Sequence, residues 1–213
     1  MAVRVDLNIS LDGFATTTDQ TTENPFGDDW QRLVAAYTAT RTFRERVLGD
    51  TSGEGTAGID EKYASAYFDG TGSEIMGAGM FGLQLNADDP DWRGWWGEEP
   101  PFRVPVFVLT HAPRASIEFD NGTVFHFVDA SPQDALARAV EAANGADVRV
   151  GGGVDVVRQF LEAGLVDRIH FAVAPIVLGR GERIWDGLRG LETDYEVTSE
   201  VAESGTMHLS FRR

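Results

Sequence analysis

From residue 104 to residue 177 short apolar runs alternate with amphipathic stretches, and that alternation narrows the fold more than anything else in the chain. Val104–Leu109, Val124–Val128, Val148–Val150 and Ile169–Val177 are apolar almost throughout, as strands buried on both faces are. Ser131-Pro132 opens a helical pattern, with Ala135, Leu136, Ala139, Val140 and Ala143 on one face. Val154, Val157, Phe160 and Leu161 mark a second helix, and Gly164 suits its carboxyl end. Strands alternating with helices pack as an α/β fold with a mostly parallel sheet. Near the start, Val3, Val5, Leu7 and Ile9 alternate with Arg4, Asp6 and Asn8, a strand that stops at the turn Asp12-Gly13. At the other end, Tyr195–Val201 and Met207–Phe211 read as an antiparallel hairpin around Glu203-Ser204-Gly205.

The segments between are less regular. Residues 16–29 read as a polar loop, with Asp28 or Asp29 placed to cap a following helix. Trp30, Leu33, Val34 and Tyr37 have helical spacing, and Phe43 and Val47 continue it or start another helix. Residues 49–58 are Gly-rich with almost no apolar content, as mobile loops are. A loop over about 86–103 interleaves Trp92, Trp95 and Trp96 with prolines; a lid, a subunit contact or a wedge packed on its own loop would each account for it. The expectation is one domain over residues 1–213, with a variable insertion at about 16–70.

Composition excludes several functions. The 34 acidic side chains outnumber 18 basic ones, for a formal charge of -16, which disfavours binding to nucleic acid. Cysteine is absent, so there are no disulfides, thiolate metal sites or cysteine nucleophile. His111, His126, His170 and His208 show no metal spacing, and His126 and His170 read as core or face residues. No apolar run spans a bilayer, and Met1-Ala2-Val3-Arg4 leads into a strand, so a soluble cytoplasmic protein is expected.

Three glycine motifs compete as phosphate sites. Gly53-Glu54-Gly55-Thr56-Ala57-Gly58 matches the dinucleotide fingerprint in letters but lacks the strand and helix that the mechanism needs. Gly77-Ala78-Gly79-Met80-Phe81-Gly82 follows a short strand, and phosphate contact and a plain tight turn both stay open there. Gly151-Gly152-Gly153 is the strongest. It follows the strand Val148–Val150 and opens the helix at Val154, so bare backbone amides at a helix start meet any ligand there. A close strand–helix junction is the simpler alternative.

Five segments in order resemble a known family: Ser10–Ala15, Ile75–Gly82, Val106–Thr110, Val148–Gly153 with its helix, and Ala174–Gly181. The chain is similar to the dihydrofolate-reductase-like fold, and within it to the reductase domain of the bifunctional riboflavin-biosynthesis deaminase–reductase. The resemblance implies a sheet of about eight strands, an NADPH pocket, hydride transfer to a small heterocyclic or ribosylamino-pyrimidine substrate, and a homodimer. It places the nicotinamide near Leu11, Phe14 and Ala15. The diphosphate falls between the turns Gly77, Ala78, Gly79, Met80 and Val150, Gly151, Gly152, Gly153, Val154. The adenosine end falls near Thr110, His111 and Arg114. The family's second motif usually carries a basic residue and a threonine where this chain has Ala78 and Met80, so Arg114 or His111 would have to meet a 2′-phosphate. NADH and the deazaflavin F420 therefore stay open as cofactors. So does a catalytically degenerate protein that binds a nucleotide or flavin in the same pocket.

Reduction also needs a proton donor. Asp12, at the end of the first strand, is the first candidate if partial burial raises its pKa; fixing the Asp-Gly turn is the competing role. Asp60 and Glu61 rank lower, as loop acids are usually solvated. Trp30 is read as a stacking partner for substrate or a core residue, and Glu182 as facing either the site or water.

Overall fold

The computed structural model describes residues 1–213. In chain order it forms β1 (Val3–Ser10), β2 (Phe14–Thr16), α1 (Trp30–Leu33), α2 (Ala35–Thr38), α3 (Arg41–Arg46) and α4 (Ile59–Ala66). Next come β3 (Thr71–Gly77), α5 (Ala78–Phe81), β4 (Pro105–Leu109), β5 (Ile117–Glu118), β6 (Val124–Val128) and α6 (Pro132–Ala142). The chain ends with β7 (Asp147–Gly152), α7 (Val154–Glu162), β8 (Arg168–Ala174), β9 (Glu182–Arg183), β10 (Glu196–Val201) and β11 (Met207–Arg212). No helix is long and apolar enough to cross a membrane. Two compact units result: Met1–Val5 with Gly70–Asp167, and Asp6–Asp69 with Arg168–Arg213.

The first unit is the α/β part that the alternation foretold. Its strands lie in the order β1, β7, β3, β4, β6, β5, and all pairs are parallel except β5 with β6. Met76, Phe81, Val106, Val108, Phe125 and Phe127 form one buried cluster. Helix α6 has the cap that its sequence promised, Ser131 Oγ accepting from the Asp134 amide at 3.2 Å with Pro132 at the first position. The tryptophan loop packs on this unit's own core. The indole N–H groups of Trp92 and Trp95 donate to the carbonyls of Phe81 and Met80, and Trp96 stacks on Phe125. Those bonds take up carbonyls that the four-residue helix α5 leaves unpaired.

The second unit holds the C-terminal hairpin, with strand order β10, β11, β8 and then β1, antiparallel from β10 to β8. A separate ribbon pairs β2 with β9. Several expectations change here. The pattern from Trp30 to Tyr37 breaks into two four-residue helices at Val34, and Asp29 makes no side-chain cap. Its carboxylate is taken instead by Arg32 at 2.5 Å and Arg180 at 2.9 Å, and charge-assisted bonds of that kind outcompete a neutral amide. Asp60 and Glu61, read as loop acids, lie in the first turn of α4, and β8 stops at Ala174, ahead of Pro175.

Phe125 is fully buried and meets Phe81, Phe102 and Phe119 edge-on. Phe125→Ala is expected to lower unfolding free energy by about 3–5 kcal/mol in urea titration. A loss under about 1 kcal/mol would contradict this packing.

Candidate functional site

Strand β7 ends in three glycines that differ in what they touch. A Cβ on Gly151 would lie 2.3 Å from Glu74 Oε1 and 3.0 Å from Arg149 Nη1. Gly152 has φ +139°, a conformation that side chains rarely adopt, and Met80 Sδ lies 3.0 Å from its Cβ position. Gly153 has nothing within 4 Å of its Cβ position. The Gly152–Gly153 peptide bond is cis. Helix α7 opens at Val154 with Gly153 at its cap position and no side-chain cap bond. The first-turn amides of this nine-residue helix are therefore left to solvent or a ligand, with the positive end of the helix dipole behind them. Its one first-turn acid, Asp155, leans to Arg158 at 2.9 Å. Gly77, at the end of β3, borders the same corner: its Cβ position is 3.5 Å from the Gly153 nitrogen. Ala78, Gly79 and Met80 form the turn beyond it, also without a side-chain cap. The structure thus brings together the two turns that the resemblance paired, and the corner at Gly153 is open. A dinucleotide diphosphate fits this chemistry, since bare amides and an open glycine are what such a group needs.

Thr110 follows β4, its amide bonded to Val128 O, and its Oγ1 accepts from the Ala112 amide. His111 is fully exposed and 3.2 Å from Asp129. Arg114 is not the free guanidinium that a 2′-phosphate would meet. Its Nη2 donates to Trp92 O at 2.5 Å and its head lies over Phe127 at 4.4 Å. Burial pushes its pKa down, against the nearby Asp89 charge.

In the second unit, Leu11 is 56% exposed, and its amide donates to Ile176 O. Gly13 needs to be glycine: φ is +85° and a Cβ would lie 2.4 Å from the Trp185 ring. Phe14 carries the Arg183 guanidinium over its ring at 4.9 Å, and Ala15 continues β2. Trp30 packs on Phe26 and on the cluster of Leu33, Val34 and Ala174, so its face is committed to packing. Glu182 lies on β9, in register with Thr16.

Asp12 is a turn residue. It accepts from Ser10 Oγ at 2.6 Å and from the amides of Leu178 at 3.1 Å and Gly179 at 2.7 Å. Burial pushes its carboxyl up, and these three bonds more than reverse that, leaving it lowered to about 2. A carboxyl held that low carries no proton near neutrality. The proton-donor role expected of Asp12 is therefore corrected to the turn-fixing one.

Asp60 is held differently. It sits in the first turn of α4, is 7% exposed, and bonds His208 Nε2 at 3.0 Å. It lines a small cavity with Asn8, Tyr37, Tyr63, Tyr67 and His208, and the cavity, at about 10 Å³, has room for about one water. The sequence marks His170 as a core or face residue and gives His208 no role beyond the lack of metal spacing. Their pairing depends on the β8–β11 register, in which His170 faces Ser210 and His208 faces Ala172. The only hint in the sequence is that each histidine interrupts an apolar run.

With this geometry in hand, comparison with known proteins is informative. The family model described as RibD C-terminal domain matches residues 1–206, and the chain belongs to that family. The family supports a reductase-like function. Among solved structures, the chain is similar to a putative riboflavin biosynthesis protein from Shewanella sp. PV-4, at 18% identity and TM-score 0.60, covering 100% of this chain and 99% of that one. It is also similar to a diaminohydroxyphosphoribosylaminopyrimidine deaminase/5-amino-6-(5-phosphoribosylamino)uracil reductase from Thermotoga maritima, at 14% identity and TM-score 0.51. That match covers 99% of this chain and 56% of the other. A dihydrofolate reductase from Enterococcus faecalis, complexed with NADP(H), matches at 12% identity and TM-score 0.51, covering 100% and 96%. At such identities these likenesses establish the fold, which is dihydrofolate-reductase-like. No curated protein matches the sequence.

Removing the Asp12 bonds should cost stability. Asp12→Asn is expected to destabilise by about 1–3 kcal/mol at pH 7. Because the folded pKa lies below the ordinary value of 3.8, the stabilisation is present above that value and is lost as pH falls through about 2. Urea midpoints of wild type and variant at pH 7 and pH 2.5 check this; an equal gap at both pH values would contradict it.

Proposed function

We propose that the protein is a reductase that binds a nicotinamide dinucleotide at the glycine corner and transfers hydride to a small heterocyclic or ribosylamino-pyrimidine substrate. The observation that carries the reading is the open position at Gly153, at the start of an uncapped helix, in a chain of the RibD C-terminal domain family. The dinucleotide supplies the hydride. The amides of Gly153 and Val154 would bind its diphosphate, locally and despite the formal charge of -16, because the attraction depends on nearby dipoles. Thr110 and His111 remain the residues proposed for the adenosine end, and Leu11, Phe14 and Ala15 for the nicotinamide. Asp60, Trp30 and Glu182 stay the residues proposed for the substrate side. NADPH is the cofactor that the family suggests. The engagement of Arg114 by Trp92 O is a reason to test NADH and F420 beside it. A homodimer and a cytoplasmic location stay proposals that rest on the family resemblance.

A binding protein without turnover is the second reading, and the commitment of Asp12 to its turn favours it. Binding of dinucleotide without reduction of any pterin, folate or ribosylamino-pyrimidine would support that reading over the first.

The test uses Gly153, because a substitution at Gly152 would confound binding with backbone strain. Wild type and Gly153→Ala are expected to gain thermal stability with millimolar NADPH or NADH. Gly153→Asp is expected to fold with a Tm near wild type and to lose that gain entirely, since a carboxylate would stand beside the diphosphate. If wild type ignores both dinucleotides, or if Gly153→Asp responds like wild type, the glycine corner is not the site.

A further inference from the structure

Within the first unit, the sheet register shows what borders the glycine corner. Gly77 of β3 pairs with Leu109 of β4, and Leu109 pairs with Val128 of β6. The three strands run parallel. The residues that follow them, Ala78, Thr110 and Asp129, therefore stand in a row beyond one edge of the sheet, about 5 Å apart. The Thr110 amide donates to Val128 O and ties the last two places of that row together. Ligands of parallel sheets lie beyond this edge. A nucleoside that leaves the diphosphate across β4 passes Thr110 and meets Asp129, two strand spacings or roughly 10 Å from Gly77.

The charge along this edge is one-sided. The Asp129 carboxylate is exposed, and its Oδ1 accepts from Nδ1 of the fully exposed His111 at 3.2 Å. A carboxylate only accepts, so the proton of that bond is on Nδ1, and Oδ2 is left to take a further donor. Asp134, in the first turn of α6, accepts from the Ser131 hydroxyl at 2.7 Å and adds a second negative charge after the same strand.

No cation is placed to answer these acids. Lys62, the one lysine, belongs to the second unit. Arg4, Arg93, Arg149 and Arg158 each face a carboxylate, and Arg114 is bound to Trp92 O. Arg103 precedes β4, so a five-residue strand, about 17 Å long, separates it from Thr110. Arg138 lies two turns into α6, about 10 Å along the helix from its cap at Ser131.

We propose that Asp129 selects a dinucleotide whose adenosine ribose carries a free 2′-hydroxyl, so that the protein takes NADH in preference to NADPH. The proposal rests on the dinucleotide reading of the glycine corner and on Thr110 and His111 as the adenosine end. It departs from the NADPH that the family suggests. A 2′-hydroxyl donates to Asp129 Oδ2. A 2′-phosphate has only acceptors to offer, carries nearly two negative charges, and finds carboxylates where it needs a guanidinium. Like charges about 5 Å apart repel even in water, and screening is incomplete within a Debye length of about 8 Å at physiological salt. The lost bond and the repulsion together correspond to a preference of about tenfold.

Equilibrium titration of the full chain with each reduced dinucleotide, followed by the fluorescence of the bound nicotinamide, tests this without turnover. NADH is expected to bind about tenfold tighter than NADPH at low salt, with the ratio narrowing as salt is raised. Asp129→Asn, an exposed and nearly isosteric change, is expected to bring the two within about threefold, chiefly by tightening NADPH. ADP and its 2′-phosphorylated form lack the nicotinamide and are expected to show the same ratio in competition. NADPH binding as tightly as NADH would overturn the proposal and leave the dinucleotide site standing. So would a preference for NADH that Asp129→Asn leaves unmoved, or equal binding of the two fragments. Wild type that binds neither dinucleotide would instead sink the reading of the glycine corner, and the selection with it.

Discussion

The missing side chains at residues 151–153 are the constraint on which the first unit depends, and each position is glycine for a different reason. At Gly151 the space is filled by the carboxylate of Glu74, itself paired with Arg149 at 3.1 Å in a pair almost wholly removed from water. Burying two charges costs more than packing two apolar groups, so the pair is held only by close geometry. A Cβ at 151 would break that geometry. At Gly152 the backbone conformation is the reason. At Gly153 neither applies, and the lack of a side chain leaves only open space at a helix start. Packing and conformation explain two glycines, and the dinucleotide proposed for this corner would account for the third.

The first unit was legible because its determinants are local. Apolar strands, a Ser-Pro helix start and a glycine junction are each written in contiguous residues, and β4, β6, α6 and α7 fell where they were expected. The second unit was less so. Helix α4 has little amphipathic contrast, since Asp60 points inward and is buried only because His208 arrives from far along the chain. Without that partner, solvation is the reasonable reading of an acid in a Gly-rich neighbourhood. The break between α1 and α2 at Val34 has no sequence marker either.

The two candidate acids show how completely environment decides the use of a carboxylate. Asp12 is saturated by donors that hold no exchangeable charge: a hydroxyl and two amides at the strand end. Each bond favours the ionised form and none can return a proton at neutral pH. Asp60 is bonded to a base that has a second base behind it. The same functional group is held by a hydroxyl and two amides in one setting and by a buried imidazole in the other. Sequence position, at the end of a strand near a turn, pointed to Asp12 because the amides that hold its carboxylate, 166 residues away at Leu178, are invisible to local reading.

Charge placement follows the same logic on the surface. A chain with a formal charge of -16 must spend its few cations carefully, and the arginines show where. Arg180 lies 2.8 Å from Asp19 and 2.9 Å from Asp29, tying the polar segment before α1 to the turn after β8. Arg114 is spent on the Trp92 carbonyl of the tryptophan loop and on the faces of Phe81 and Phe127. Neither is held in reserve for an anion. At the glycine corner, recognition of a diphosphate would therefore fall to backbone amides, which a mutation cannot neutralise and which carry no net charge to offset against the acidic exterior. That is a recognition mode in which a single misplaced carboxylate at residue 153 matters more than the loss of any one arginine, because the main chain provides the attraction and only a side chain can obstruct it.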